Sequence, residues 1–528
     1  LQKHDEKQRI VKACAPDQTE SPYTGKPGKK FLLGIDIGTT GTKCTVYTGD
    51  GSVVAHAYEE YSMLHPEPGW TEQEPRIWWQ AVQHNLRRAL AADKTIAGKI
   101  AAISVSCTNA LTLVDKAGEP VYNAIGHHDQ RADAQVAWLK ERVGATKFVQ
   151  ITGNQLVKGS FCLPNLRWLI DNRPELMTKV YKLLMPSGFI IQKLTGVFSM
   201  NRPRISLTAL ADIKTGTWSE EIVEKAGIPK AWLPEIFAPT DIVGQVSESA
   251  AELTGLAVGT PVTAGCLDTV VATAGSGAVE AGDFAITLGS SGRICYISRK
   301  PFFDKHVLNC FSPFEGLYTV IQTTDNAGIS LRWFRDQFGG VLQKKADLAG
   351  KSVYNVMNEL VSKTEPGAGG IIYLPYLAGE KSPIWNPQAR GVFFGIGLES
   401  AYGDFVRAVM EGVAFSLKDC LDLLQDENVT AKGAIPLGGG VAKSSIWCQI
   451  IADVLQRPIL KLKYTETETL GDMILAGMSV GMPGIDRKFG RKMAAKGELV
   501  EPNPARAELY EQQFKKYKKL YARVKDLF

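Results

Sequence analysis

At 528 residues, 45% apolar and 22% charged, the chain is too long for one hydrophobic core and has the composition of a globular protein of two or more domains. Its net charge of +5 is spread among interspersed acids, which excludes the strong basic field of a nucleic-acid binder. No apolar run is long enough to span a bilayer, and the nine cysteines form no Cys-x-x-Cys pair, so the chain reads as a cytoplasmic protein with reduced thiols and neither a membrane segment nor structural zinc.

Residues 1–30 mix acids with lysines and lack the apolar core of a secretion signal, so they read as a flexible polar leader. Strands are expected at 31–37, 42–48 and 52–58, then an amphipathic helix from Arg76 to Ala92 and a strand at 100–106, the opening of an α/β domain. The stretch 131–200 is helix-rich, with breaks at Pro174 and Pro186. Pro261 to Ala274 reads as a strand ending at Cys266-Leu267-Asp268 with a helix after it, which makes Asp268 a candidate helix N-cap.

A second half opens near Gly282. Helices are expected at 327–339, 353–363, 402–425 and 444–455, with a strand at Ile371–Leu377. Ile435-Pro436-Leu437 then empties into Gly438-Gly439-Gly440, a turn that either admits a flat ligand or phosphate against bare backbone or is simple loop punctuation. Near the end, Tyr510, Phe514, Tyr517, Tyr521 and Val524 recur at helical spacing, and the lysines at 515, 516, 518 and 519 form the solvated face of that docking helix.

The two halves share a repeat. Ile35-Asp36-Ile37-Gly38-Thr39-Thr40-Gly41-Thr42-Lys43-Cys44 is echoed by Ile286-Thr287-Leu288-Gly289-Ser290-Ser291-Gly292-Arg293-Ile294-Cys295, and only the first copy carries a carboxylate. Each is an apolar strand, a hydroxyl-rich Gly-x-x-Gly turn and a second strand, the pattern of a tight hairpin. Either these are ordinary hairpins, or they form a duplicated clamp whose glycines and hydroxyls approach phosphate oxygens, with Asp36 beside a phosphate-bound metal.

With these motifs in order, and with Pro68-Gly-Trp-Thr-Glu-Gln-Glu-Pro75, Leu374-Pro-Tyr-Leu-Ala-Gly-Glu-Lys-Ser-Pro383, Ala389-Arg-Gly-Val-Phe-Phe-Gly395 and Asp404-Phe-Val-Arg-Ala-Val-Met-Glu-Gly412, the chain resembles the FGGY carbohydrate kinases over residues 31 to 480. That family belongs to the sugar kinase, Hsp70 and actin superfamily. The resemblance implies two ribonuclease H-like, actin-like ATPase domains of α/β class with an interdomain cleft: 31–278 for sugar binding and the catalytic base, 279–528 for the nucleotide. It implies ATP and Mg²⁺ as cofactors, a small-molecule sugar as partner, and a homodimer as the assembly to test. Asp268 is then the catalytic base. Asp36, with Asp268, stands near Mg²⁺, which binds few carboxylates alongside phosphates and keeps its waters. Gly38, Thr39, Thr40 and Thr42 face the transferred phosphate from one side, with Gly289, Ser290 and Ser291 on the other. Gly328, Gly439, Gly440 and Ser444 match the nucleotide pocket.

The sugar pocket departs from the family's patterns. Xylulokinases typically carry Gln-Met-His where this chain has Cys107-Thr108-Asn109, and glycerol kinases an Arg-Glu pair that is missing here. The common Trp-x-Asp-x-Arg is His127-His128-Asp129-Gln130-Arg131, and an Asp-x-Ser is replaced by Asn201-Arg202-Pro203-Arg204. Thr108, Asn109, Asp129, Asp268 and Thr269 remain as expected acceptor-binding residues; Asn109 offers both a donor and an acceptor, and Asp129 accepts from hydroxyls. His127 and His128 either line the pocket or are structural. The reading is an ATP-dependent kinase acting on a terminal hydroxyl of a small ketose, most like xylulokinases. Its rivals are a kinase for another ketose, polyol or deoxy sugar, and a nucleotide-switched sensor without kinase activity.

Overall fold

The structure, a computed structural model, describes residues 28, 30–157, 159–303, 306–424 and 433–528. The predicted leader lies almost wholly outside the described residues. Two seven-stranded sheets dominate the molecule.

In the first, β1 (Phe31–Ile37), β2 (Gly41–Thr48) and β3 (Val53–Glu60) form an antiparallel meander. β4 (Ile100–Cys107) runs parallel beside β1, and β5 (Ile242–Gln245), β6 (Pro261–Thr263) and the short β7 (Cys266–Leu267) complete it. β1 and β4 are buried almost throughout because helices cover both faces, which is why they read as continuous apolar runs and not as alternating ones. Helix α1 (Pro75–Ala91) starts with proline in its first turn, where a missing N–H costs nothing. The expected single strand at 261–268 is interrupted at Gly265, whose φ of +72° no side chain tolerates easily and whose added Cβ would meet Val105 O at 2.0 Å.

The second sheet repeats the plan. β8 (Phe284–Leu288) pairs antiparallel with β9 (Gly292–Ser298), β9 with β11 (Tyr318–Thr324), and β11 with β10 (Leu308–Phe311). β12 (Ile435–Gly438) runs parallel beside β8, followed outward by β13 (Ile459–Lys461) and β14 (Glu498–Val500). The order β3-β2-β1-β4 is thus matched, with the same directions, by β11-β9-β8-β12. The expected strand at 371–377 shrinks to Ile372–Leu374, since Pro375 ends its pairing.

Two helices lock the halves together. α2 (Asp268–Gly275) leaves the first sheet, and α7 (Thr467–Ser479), which follows β13 of the second sheet, packs on β1, β4 and α2. Between them lie α3 (Gly328–Phe338), α4 (Val353–Ser362), α5 (Tyr402–Leu424) and α6 (Ser445–Leu455), on the second sheet's side of the molecule, and α8 (Ala507–Val524) follows. α8 docks through Tyr510, Phe514 and Tyr517, with Tyr510 joining the buried Arg407–Glu411 pair of α5.

α7 meets both β1 and α2 backbone against backbone. A Cβ on Gly34 would lie 2.4 Å from Thr469 O, one on Gly275 2.1 Å from Thr467 O, and one on Gly471 2.1 Å from Val271 O. Gly471→Ala therefore forces α2 and α7 apart; we expect a loss of about 2–3 kcal/mol in urea unfolding, as for other overpacked cores.

Candidate active site

Each hairpin tip closes on itself: Gly38 N–H donates to Gly41 O, and Gly289 N–H to Ser291 O, both at 2.9 Å. The second tip is also braced from behind. Ala327 and Ile329 N–H donate to Ser290 O at 3.1 and 3.0 Å, and Gly328 N–H donates to Gly289 O at 2.9 Å. A side chain at 328 would strike Gly289 O at 2.5 Å, so glycine is required there by packing against the tip.

Two cavities meet at this tip. One, of about 460 Å³, is lined by Gly289, Ser290, Gly328, Tyr354, Asn358, Gly440 and Ser444 among others, all from the second half. The other, of about 310 Å³, lies between the halves: Thr39, Thr108, Asn109, Asp268 and Thr269 on one side, Ser291, Arg293, Thr323, Asp325 and Lys381 on the other. Ser290 and Ser291, adjacent in the chain, line one cavity each.

Asp268 is the first residue of α2; the N-cap position is Leu267, so the capping role anticipated from sequence is not the one observed. Its Oδ1 accepts from Thr269 N–H at 2.6 Å and from Thr269 Oγ1 at 3.2 Å, and its Oδ2 lies 3.8 Å from Arg293 Nη1. One oxygen is thereby held, and the other faces the cavity and the cation across it.

Asp36 lies deeper, 5% exposed, with Oδ1 accepting from Ser106 Oγ at 3.0 Å. Burial first, then the Glu468 and Asp268 carboxylates, push its pKa up to about 7 against the opposing pull of Lys43. Ser106 Oγ is also 2.7 Å from Asp472 Oδ2, and one hydroxyl hydrogen cannot serve two carboxylates. Burial raises Asp472 well above the carboxylate range, which favours its neutral form in this pair. Asp36 lines neither of these cavities but lies close enough to Asp268, which does line one, for the two charges to act on each other, and a pair of carboxylates suits a magnesium ion that takes its other ligands from phosphate and water.

Residues 31–275 match the N-terminal domain of the FGGY family of carbohydrate kinases, and residues 284–480 match that family's C-terminal domain. The chain belongs to the FGGY carbohydrate kinase family. It is 30% identical to a xylulose kinase of Lactococcus lactis subsp. lactis (strain IL1403) over 94% of this chain and 97% of that one. It is 29% identical to a gluconokinase of Bacillus subtilis (strain 168), covering 85% and 88%. The crystal structure of xylulose kinase from Rhodospirillum rubrum superposes with a TM-score of 0.84 at 26% identity, covering 94% and 99%. The protein is therefore a sugar phosphotransferase with the two-domain, actin-like fold of these kinases.

Against this FGGY frame, the residues anticipated from sequence separate into groups. Thr39, Thr108, Asn109, Asp268, Thr269 and Ser291 line the interdomain cavity; Gly289, Ser290, Gly328, Gly440 and Ser444 line the larger one. Thr40 is exposed at the first tip, and Gly38 sits there under Tyr61, whose hydroxyl donates to its carbonyl. Gly439 lines neither cavity but a third, of about 290 Å³, behind the glycine turn. Ser444 presents no free hydroxyl: its Oγ caps α6 at Trp447 N–H and donates to Asn358 Oδ1.

Two expectations are corrected. Thr42 points into the β2 packing layer, fully buried and donating to Tyr61 Oη, because only the turn residues of the hairpin face the cleft. Asp129 sits behind the cavity wall, with Oδ2 accepting from Thr71 N–H and Arg131 Nη2 and Oδ1 from Arg131 N–H and Nε, so no lone pair is left for a sugar hydroxyl without breaking these bonds. Arg131 in turn pairs with Glu72 at 2.8 Å and stacks 3.7 Å over Trp70. Together they brace the loop that presents His127 and His128.

Those histidines do line the cavity, their rings 3.9 Å apart. Arg293, Asp325, Lys381 and Trp385 line it as well and were not singled out from sequence. Arg293 had a usable signal, as the first charged residue after the second hairpin tip. Lys381 lay inside the Leu374–Pro383 motif without a role assigned to it and Asp325 had no signal; both are set by Glu380, which accepts from Thr324 Oγ1, Asp325 N–H, Asn326 Nδ2 and Lys381 N–H.

Desolvation within the cavity, then His128, Lys381 and Arg293, hold the His127 pKa well below its ordinary 6.5. The folded state thus refuses a proton that the unfolded chain takes up below pH 6.5, so His127 favours folding above that pH and the benefit is lost as pH falls. Urea unfolding between pH 7.5 and 5 should show stability declining by at most about 1.4 kcal/mol per pH unit from this residue, the single-proton limit, and His127→Gln should flatten the slope.

Proposed function

We propose that the protein transfers the γ-phosphoryl group of ATP to a terminal hydroxyl of a small ketose, with D-xylulose the first acceptor to test. The observation that carries this reading is the position of the second hairpin tip, which forms a wall of both cavities with Asp268 on the acceptor side. A nucleotide in the 460 Å³ cavity extends its phosphates past Gly289 and Ser290 toward Ser291 and Thr39, where an acceptor hydroxyl held beside Asp268 meets them.

Phosphoryl transfer needs positioning and charge stabilisation more than covalent help from the protein. Asp268 accepts the hydroxyl proton as the oxygen attacks phosphorus and the bond to ADP breaks. Thr269 holds one Asp268 oxygen and so aims the other at the hydroxyl, while Arg293 and Lys381 offset charge on the cavity wall. When bound, Mg²⁺ would be held by Asp36 and Asp268 and would supply charge neutralisation at the phosphates.

A second acceptor class, an aldonic acid, is favoured by the cations Arg293 and Lys381 on the cavity and by the gluconokinase relative. ATP consumption by the purified protein with D-xylulose, D-ribulose, D-gluconate and glycerol separates the two, and no acceptor-stimulated turnover with any of them overturns both. Asp268→Asn should lower acceptor-dependent turnover by about 10²–10⁴-fold, the range for loss of a general base, while nucleotide affinity stays within a few-fold; near-normal turnover would remove Asp268 from the mechanism.

A further inference from the structure

Behind the acceptor cavity lies a cation with no partner of opposite charge among the described residues. Arg204 is fully buried, pairs with no carboxylate among the described residues, and leaves its Nε without a hydrogen-bond partner. It is placed by a one-turn helix, Arg202–Ile205, whose entry Asn201 fixes by accepting from Arg204 N–H at 3.0 Å and donating to Ala264 O at 3.2 Å. The guanidinium Nη2 donates to Cys107 O, at the end of β4, and touches Cys107 Sγ at 3.1 Å. A buried, uncompensated charge is expensive, so its retention asks for a use.

Its remaining contact is to the acceptor cavity. Arg204 Nη1 donates to Asn109 Oδ1 at 3.4 Å, and the Cys162 thiol approaches the same oxygen at 3.6 Å. On the other side of the amide, Asn109 Nδ2 donates to Ser160 O at 2.9 Å. A flipped amide would set N–H against guanidinium and oxygen against carbonyl, so the orientation is fixed. Sequence alone gave Asn109 both a donor and an acceptor; here the acceptor is taken up from behind. The second Nδ2 hydrogen has no acceptor among the described residues, and Asn109 lines the cavity beside Thr108 and Asp268.

We propose that Arg204 is a positioning residue that makes Asn109 a donor only, and that the acceptor presents to Asn109 an oxygen bearing no hydrogen, a ketone or carboxylate oxygen in preference to a hydroxyl. The positive charge behind the amide strengthens that preference, since it favours the more electron-rich oxygen. This inference rests on the kinase reading above and narrows it, selecting carbonyl-bearing acceptors over the polyols derived from them.

The test pairs each carbonyl compound with its reduced form: D-xylulose with xylitol, and D-gluconate with D-glucitol. The wild-type protein should show kcat/KM at least about tenfold higher for one carbonyl compound than for its polyol, as expected when a buried donor loses its best acceptor; the pair that is turned over tells ketone from carboxylate. Arg204→Met and Asn109→Asp should both bring that ratio toward one, chiefly through KM of the carbonyl substrate. Arg204→Met removes an unpaired buried charge but also the donors to Cys107 O and Asn109 Oδ1, so the discriminating readout is the ratio, which a purely structural Arg204 would leave intact whatever the change in thermal midpoint. Equal turnover of both members of a pair, or an unchanged ratio in the two variants, overturns the inference and leaves the kinase reading standing. A folded, nucleotide-binding protein that turns over none of the four overturns the acceptor reading itself.

Discussion

The close crossing of α2 and α7 is the constraint on which the cleft depends. Gly34, Gly275 and Gly471 let a helix that follows β13 rest its backbone on β1 and on the helix that begins with Asp268. Asp472 of α7 reinforces the contact through Ser104 and Ser106, at 2.8 and 2.7 Å. Because Ser106 also bonds Asp36, the same polar chain that joins the halves fixes a carboxylate beside the cleft. Domain placement and active-site geometry are in this sense one problem, solved by three glycines and a buried acid bonded to Ser104 and Ser106.

From that crossing follows the placement of the two hairpins. Both are strand–turn–strand units with the same pairing directions, yet they do different work. The first ends at Thr39 on the acceptor cavity, with Asp36 one strand residue before Ile37; the second has Thr287 where Asp36 stands and is braced by the start of α3, so its tip separates the two cavities. The first unit thus carries a carboxylate close to Asp268, while the second carries Arg293, whose Nη1 lies 3.8 Å from Asp268 Oδ2 across the cavity.

Much of the fold was legible because its signals are local. The hairpins, α1, α3, α5 and α6 lie within two residues of their expected positions, each marked by apolar periodicity, a glycine turn or a proline at the first turn. α7 was not legible. Leu470, Met473, Ile474, Leu475 and Ala476 are buried together with Thr469 and Asp472, so the helix has no solvent face and hence no amphipathic period to read. Asp129 looked like a sugar ligand because carboxylates accept hydroxyls, but its two oxygens are already engaged by a neighbouring arginine and the Thr71 backbone.

What the sequence by itself determined is the family, the duplicated strand–turn–strand units and the identity of the acids at 36 and 268, because motif order and turn chemistry are encoded residue by residue along the chain. What only the tertiary structure decided is which groups line the interdomain cavity: Lys381 and Asp325 through Glu380, His127 and His128 through the Asp129–Arg131 pair, and Asn109 through Arg204, ninety-five positions away. A hydrogen-bonding group's chemical role depends on which of its atoms are already satisfied, and that is a property of the packed fold and not of the residue type.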